Sequence, residues 1–415
     1  MTSLAVNPLP EHSFVDLGQR LRVLHLGAGN MYGGIERVLA VIAESRDLAP
    51  GMRPLFGLCF QGRLQDELLA TGVPVFDFGP VRLSRPWTVS KARRVLRRTV
   101  SDHDVDVVVT HGFWSHALFG PSLRGTEAAL VHWAHGPFDS RRWLDRVGTW
   151  TRPELVLANS RFTAESFKSA FPSVRCDIVG LPARLSTPTD APRTRGEVRR
   201  SLGTPEDAVV ITMVSRIEPL KGHAVLLDAL RILDASKTPR SAAEQGRAGG
   251  APAKKRSPWE CWIIGGAQRS EEKRLLASLT RQGTTKGLGE RVRFLGVCNN
   301  VSELLAASDV YCQPNTRPEA FGLSFIEALN AKLPVVTSRL GGPPEYLDKS
   351  CSILTPPGDA SAVAAALRRL IDDAELRREL GRNGPAKARA TCDPVERLAA
   401  LERALDSVRK VVQWA

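Results

Sequence analysis

Short apolar runs rich in β-branched residues recur along the chain, and each is followed by a loop and then a stretch of helical character. In the first half they are RVLHLG (Arg22 to Gly27), LFGLCF, VPVFDF, VDVVVTH (Val105 to His111), ALVHWAH (Ala129 to His135) and LVLANS (Leu155 to Ser160). In the second half they are VVITMVS (Val209 to Ser215), CWIIGG, VRFLG, VYCQP, PVVTS and SILTP. Runs that are apolar at consecutive positions suit strands covered on both faces, with the helices between them as the covers. The pattern predicts an α/β protein of two doubly wound, Rossmann-like units with parallel sheets. A length of 415 residues agrees, being too long for one ordinary core. The change of unit is expected near Pro182 to Arg195, in LPARLSTPTDAPRTR, which has linker composition. The predicted domains are 1–185 and 186–390, followed by a C-terminal helix at 391–415.

Two segments depart from the alternation. Ser236 to Pro258, SKTPRSAAEQGRAGGAPAKKRSP, has no apolar periodicity and reads as a disordered insertion between a helix and the next strand. The C-terminal DPVERLAALERALDSVRKVVQWA offers Asp393 as a cap and Pro394 in the first turn. Leu398, Leu401, Leu405, Val408 and Val412 then follow the spacing of one buried helical face.

The net charge of +13 suggests a polyanion partner until it is located. Residues 237–256 carry +5 and residues 82–98 carry +7, leaving +1 for everything else. Nucleic acid is therefore an unlikely partner class. In VSKARRVLRRTV the residues Ala92, Val95, Leu96 and Thr99 form a stripe among basic residues. It reads either as a helix packed on its sheet or as an interfacial helix through which 82–98 meets anionic lipid. No apolar run approaches the roughly 20 residues of a membrane span, and no secretory signal is recognisable at the N-terminus. A cytoplasmic location is expected, with peripheral contact on the inner face of a membrane as an extension. The seven cysteines include no CxxC pair, so they read as small core residues and not as a zinc site.

Candidate chemistry collects after strands of the second half, where open parallel sheets bind ligands. Arg216 and Lys221 follow VVITMVS just before a helix, a placement that suits a phosphate or diphosphate. Gly265 and Gly266 end CWIIGG and let backbone approach a ligand or make a tight turn. After VYCQP, the stretch RPEAFGLSFIEAL enters a helix expected near Phe321. Glu319 would stand at its mouth and Glu327 roughly 9 Å along its axis. Two such carboxylates make good acceptors for paired hydroxyls, and Gly322 would let helix-start N–H groups reach an anion. DHDVD (Asp102 to Asp106) precedes its strand and lies at the wrong edge for a ligand metal site. In GAGNMYGGIE, Gly27, Gly29 and Gly33 do not give dinucleotide-cofactor spacing. No cofactor is expected.

RPEAFGLSFIEAL resembles the E-x7-E signature of the retaining glycosyltransferases grouped as family 4, which share the GT-B fold. GGIERVL, LANSRFTAESF, VSRIEPLKG, IIGGA, RVRFLGV and GGPPEYL match that pattern in order. The resemblance implies two Rossmann-like domains facing across a cleft, with a C-terminal helix crossing back to the first. It implies a nucleotide diphosphate sugar, UDP- or GDP-linked, as donor and a glycan, lipid-linked glycan or small-molecule hydroxyl as acceptor. Arg216 and Lys221 would neutralise the diphosphate without metal. Glu327 would bind ribose hydroxyls, and Glu319 would bind the donor sugar with main-chain help from Phe321, Gly322 and Leu323. Gly33, Gly34 and His135 of the first domain would approach the donor, with His111 and His116 nearer the acceptor. Another GT-B enzyme, an epimerase or phosphorylase, is the alternative within the fold. A polyanion-binding protein is the alternative outside enzymes. VGLPARLSTP (Val179 to Pro188) departs from the family's Asn-Gly hinge.

Overall fold

The computed structural model describes residues 20–185, 193–235, 258–285, 287–289 and 291–412, with side chains as far as residue 409. Residues 236–257 of the expected insertion lie outside these. The chain forms two compact units, Met1–Arg184 with Cys392–Ala415, and Leu185–Thr391.

The first unit is built on β1 (Leu21–Gly27), β2 (Met52–Leu58), β3 (Val75–Asp77), β4 (Val107–His111), β5 (Ala129–Ala134), β6 (Leu155–Ala158) and β7 (Arg175–Ile178). They form one parallel sheet in the order β3-β2-β1-β4-β5-β6-β7. Its helices are α1 (Gly34–Glu44), α2 (Arg63–Ala70), α3 (Pro86–Asp102), α4 (Gly112–Phe119), α5 (Trp143–Gly148) and α6 (Arg161–Phe167). The apolar pattern reveals six of these strands and misses β7. That strand closes one edge with its end residues exposed, so RCDI never needed an apolar run.

The second unit holds β8 (Val209–Val214), β9 (Trp259–Ile264), β10 (Val292–Gly296), β11 (Val310–Gln313), β12 (Val335–Ser338) and β13 (Ser352–Thr355), parallel in the order β10-β9-β8-β11-β12-β13. Its helices are α7 (Arg195–Ser201), α8 (His223–Ala235), α9 (Ser270–Thr285), α10 (Val301–Ala306), α11 (Leu323–Asn330), α12 (Ala360–Asp372) and α13 (Ala374–Cys392). Along β8, Val209, Ile211 and Met213 join one buried cluster while Val210 joins another with Trp262, Ile264 and Leu304. Both faces are dry, which is why the strands read as continuous apolar runs.

An aspartate pins the central strand pair in each unit. Asp106, just ahead of β4, donates its N–H to Arg22 O at 3.0 Å and takes Arg22 N–H on Oδ2 at 2.7 Å. Asp309, just ahead of β11, makes the same exchange with Val210 at 2.9 and 2.8 Å. Asp106 of DHDVD thus fixes register at the edge opposite the C-terminal strand ends. Asp309 also receives the guanidinium of Arg199 at 2.6 Å, and that arginine is 2% exposed. Its remaining N–H groups reach the carbonyls of Ala208 and Ala307.

The chain closes with α14 (Pro394–Val412), which belongs to the first unit. Asp393 Oδ1 accepts the N–H of Val395, and Leu398, Leu401, Leu405 and Val408 are buried. The side chain of Val412 lies outside the described ones. Each buried aliphatic side chain contributes about 1.5–3 kcal/mol, so this face alone holds the helix in place. Arg409 adds an ion pair to Asp106 at 3.6 Å.

Helix α3 turns its stripe inward. Ala92, Leu96 and Val100 pack with Leu24, Leu26 and Phe119, while Arg93 and Arg97 donate to Leu118 O and Ser122 O at 2.5 and 2.7 Å. The stripe is therefore core, and two of its flanking cations cap the end of α4 and the turn after it.

Removing the Asp309 carboxylate strands a buried guanidinium, so Asp309→Ala should lower unfolding free energy by about 3–5 kcal/mol. Asp104→Asn, which breaks a pair whose carboxylate is 75% exposed and keeps a side chain suited to the positive φ of 42° there, should cost no more than about 1 kcal/mol. Urea denaturation of both variants checks the contrast, and equal losses would refute the pin.

Candidate active site

The loops after β8, β9 and β11 meet at the C-terminal edge of the second sheet, and glycines make the meeting possible. Gly222 sits at φ +80°, where a Cβ would lie 1.8 Å from Pro314 O. Thr316 N–H donates to Leu220 O at 2.9 Å across the same seam. Gly265, at φ +127°, would place a Cβ 1.9 Å from Ser215 O, and its N–H reaches Gly296 O at 2.8 Å. Only glycine fits either position.

This seam brings two of the predicted charges together. Lys221 Nζ is ion-paired with Glu319, and both side chains are mostly buried, at 17% and 15% exposure. Arg216 pairs with Glu218 and stands 3.8 Å from Glu272, whose carboxylate takes the N–H groups of Gln268 and Arg269 at 2.6 and 3.2 Å. The site's cations are neutralised by the site's own acids. An anionic ligand with hydroxyls would therefore enter by exchange, taking the cations and giving the acids new donors.

The opening of the E-x7-E helix differs from the expectation. It begins at Leu323 and not near Phe321, because Gly322 adopts φ +83° and Tyr346 Oη donates to Phe321 O at 2.6 Å. Glu319 lies in the preceding loop, bridged to Gly341, whose N–H neighbour Gly342 donates to Glu319 O at 2.8 Å. Glu327 is half-buried in the second turn of α11, about 6 Å along the axis from Leu323, shorter than the expected rise. Phe321 is buried, and Gly322 and Leu323 remain partly open. Helix α13 fixes α11 from behind: a Cβ on Gly384 would lie 2.3 Å from Leu329 O, and one on Gly381 2.2 Å from Lys332 O. Below the loop, Tyr311 Oη donates to Val214 O, and Gln313 Nε2 to Asn315 Oδ1, each at 3.0 Å. The sequence reading passed over this buried polar network because QPN looks like ordinary turn chemistry.

The remaining predicted residues belong to the first unit. Gly33 caps α1 with extended backbone, takes Glu36 Oε2 on its N–H at 2.9 Å, and Gly34 starts the helix. A Cβ on Gly33 would meet only that carboxylate at 3.5 Å, so the unit's own packing does not demand glycine there. Gly29 is the strained position, at φ +89° with Phe60 O in the way. His135 follows β5, partly open, with Nε2 2.8 Å from His111 Nδ1. His116 is fully buried between Thr110 Oγ1 and Thr151 O, at 3.0 and 2.8 Å, so it is a core residue with no exposed surface.

The model "Glycosyl transferases group 1" matches residues 194–387 and "Glycosyltransferase Family 4" matches residues 32–182. The chain belongs to this glycosyltransferase family. Among curated relatives, a GDP-mannose-dependent monoacylated alpha-(1-6)-phosphatidylinositol monomannoside mannosyltransferase of Corynebacterium glutamicum is 26% identical, over 65% of each chain. A related enzyme of Mycolicibacterium smegmatis is 29% identical over 67% of this chain and 70% of its own. The chain thus matches about two thirds of the length of these relatives. Among solved structures, Anabaena HepE in complex with UDP and glucose has a TM-score of 0.75 at 23% identity, covering 94% of this chain and 100% of its own. At that identity the likeness establishes the GT-B fold. Membership places the chain with glycosyltransferases over the polyanion-binding and epimerase or phosphorylase alternatives.

The histidines set an acid limit on this family member. His25, His111, His116 and His132 are buried, and burial lowers His25 to about 3, His116 to about 4 and the other two well below the ordinary range. The folded state resists protons that the unfolded chain accepts below about 6.5. Stability is therefore full above that pH and lost as pH falls toward 4, each histidine contributing about 1.4 kcal/mol per pH unit. Denaturation between pH 7.5 and 5 should show this steep loss, and a flat profile would refute it. Among the described residues the second unit has one histidine, His223, also lowered to about 4.

Proposed function

We propose that the chain is a retaining, metal-independent glycosyltransferase whose second unit binds a nucleotide diphosphate sugar, with Arg216 and Lys221 on the diphosphate. The observation that carries this is the mostly buried Lys221–Glu319 ion pair, which joins the loop after β8 to the loop after β11 a few residues ahead of the helix bearing Glu327. On binding, Lys221 exchanges Glu319 for a phosphate oxygen, and Glu319 turns to hydroxyls of the sugar. Glu327 accepts from ribose hydroxyls, Phe321, Gly322 and Leu323 offer main-chain contacts, and Gly265 and Gly266 leave room for the ligand. In the first unit, Gly33, Gly34 and His135 serve the sugar side. As the glycosidic bond breaks, the two cations stabilise the negative charge growing on the leaving diphosphate while the anomeric carbon becomes oxocarbenium-like. The acceptor hydroxyl attacks from the face the diphosphate leaves, and a leaving phosphate oxygen takes its proton. No carboxylate nucleophile is needed.

The named substrates of the relatives support a GDP- or UDP-linked hexose as donor and a lipid-linked or glycan hydroxyl as acceptor. No helix among the described residues is long and apolar enough to cross a membrane. A lipid-linked acceptor would instead be met at the start of α3, where Trp87 is 67% and Leu83 42% exposed among exposed Arg82, Arg85 and Lys91. This replaces the inward stripe as the membrane-facing feature.

Calorimetry with UDP and GDP in EDTA tests the donor site. Lys221→Ala should weaken the preferred nucleotide about 10- to 150-fold, the loss of one charge-assisted hydrogen bond. Glu319→Ala should retain or tighten the sugar-free nucleotide, because Lys221 is released, yet abolish sugar transfer. Nucleotide binding that needs added metal, or is indifferent to Lys221, would sink the proposal. In sedimentation with phosphatidylglycerol vesicles, Trp87→Ala should reduce the bound fraction several-fold, and no binding by the native protein would exclude the membrane contact.

A further inference from the structure

Three histidines, two on the adjacent strands β1 and β4 and one just past the end of β5, form one hydrogen-bonded line. His25 Nδ1 lies 3.0 Å from His111 Nε2, and His111 Nδ1 lies 2.8 Å from His135 Nε2. Strand register produces it. His25 on β1 faces Val109 on β4, and His111 faces Trp133 on β5, so each histidine stands two residues past the position opposite its predecessor. Two residues along a strand is the same face, and each step moves toward the C-terminal edge. The line therefore climbs from a fully buried His25 to a partly open His135. Burial lowers both of these rings to about 3, so the line is uncharged at neutral pH.

A neutral imidazole carries one N–H and one lone pair on its two nitrogens, so in such a line one ring's choice dictates the others. Suppose the donors point inward, from His135 to His111 to His25. His25 then holds its proton on Nε2, an atom that is buried without a hydrogen-bond partner. Phe56 cannot receive that proton on its face, because the two rings are stacked at 23° and the N–H lies in the imidazole plane. Suppose instead that the donors point outward. Only an unused lone pair is then buried at His25, and the free N–H emerges on His135 Nδ1. An orphaned buried N–H is the rarer and costlier defect.

We infer that His25 and His111 are positioning residues that lock His135 in its Nδ1–H form, presenting a fixed hydrogen-bond donor to an oxygen of the donor sugar or its phosphate. This rests on the assignment of His135 to the sugar side. It also makes His135 a neutral donor of fixed polarity and not an acid that titrates during turnover.

The test is a long-range proton–nitrogen correlation spectrum of the full chain carrying 15N-histidine, at pH 7.5, with His135 assigned by its loss in His135→Asn. The expected result is a protonated Nδ1 and an unprotonated Nε2 at His135, opposite to the form that free histidine prefers. In His111→Phe, His135 should revert to the Nε2–H form. An Nε2–H signature at His135 in the native protein overturns the lock, and this holds even if His111→Phe fails to fold. An unchanged His135 signature in a folded His111→Phe overturns it equally. Hydrolysis of GDP-mannose and UDP-glucose by His135→Ala tests the sugar-side assignment separately. A native rate there, beside the Nδ1–H signature, would refute the contact with the donor and uphold the lock.

Discussion

Everything in this protein follows from parallel strands that must be covered on both faces. A strand buried on both sides has no surface on which to carry polar chemistry, so the chemistry moves to where the strands stop. All parallel strands stop in the same direction, and their loops crowd one edge. In the second unit that crowding is so tight that Gly222 and Gly265 cannot bear a Cβ, and the same tightness sets Lys221 against Glu319. The opposite edge is used for register instead, through Asp106 and Asp309. One covering rule thus separates the register-setting aspartates from the acids at the C-terminal edge.

The charges at the ligand edge are balanced before any ligand arrives. Partly buried cations lose hydration and need compensating charge. Glu218, Glu272 and Glu319 supply the compensation. The cost is that a ligand must displace an existing pair, so affinity becomes a difference between two sets of ion pairs. A ligand with an anion alone satisfies the cations and leaves Glu319 without a partner. In the proposed exchange, one that brings both an anion and hydroxyls gives Glu319 new donors as well, which favours a sugar nucleotide over a bare nucleotide for a physical reason.

The first unit solves a different problem with uncharged groups. His25, His111 and His135 lie on one face of the sheet, and His116 and His132 share Thr110 within its interior. Neutral imidazoles can be buried where carboxylates could not, provided that their N–H groups find acceptors. The consequence is directional order at neutral pH and vulnerability to acid.

The sequence by itself determined the class of fold, because consecutive apolar residues signal dry strands wherever they lie in the chain. It also pointed to Arg216, Lys221 and Glu319 as residues at the C-terminal strand ends, since loops after strand ends are readable from order alone, and the ligand roles given to them and to Glu327 remain the proposal made above. It missed β7, whose edge position removes the apolar signal, and it set the α11 start two residues early because the left-handed turn at Gly322 depends on Tyr346, distant in sequence. The apolar stripe of α3 was ambiguous for the same kind of reason: one amphipathic face fits a core or a membrane equally well. Only the tertiary structure decided that Lys221 closes on Glu319, and that His25, His111 and His135 align. Pairings across strands are set by register, and a register is a relation between segments far apart in the chain that no local pattern encodes.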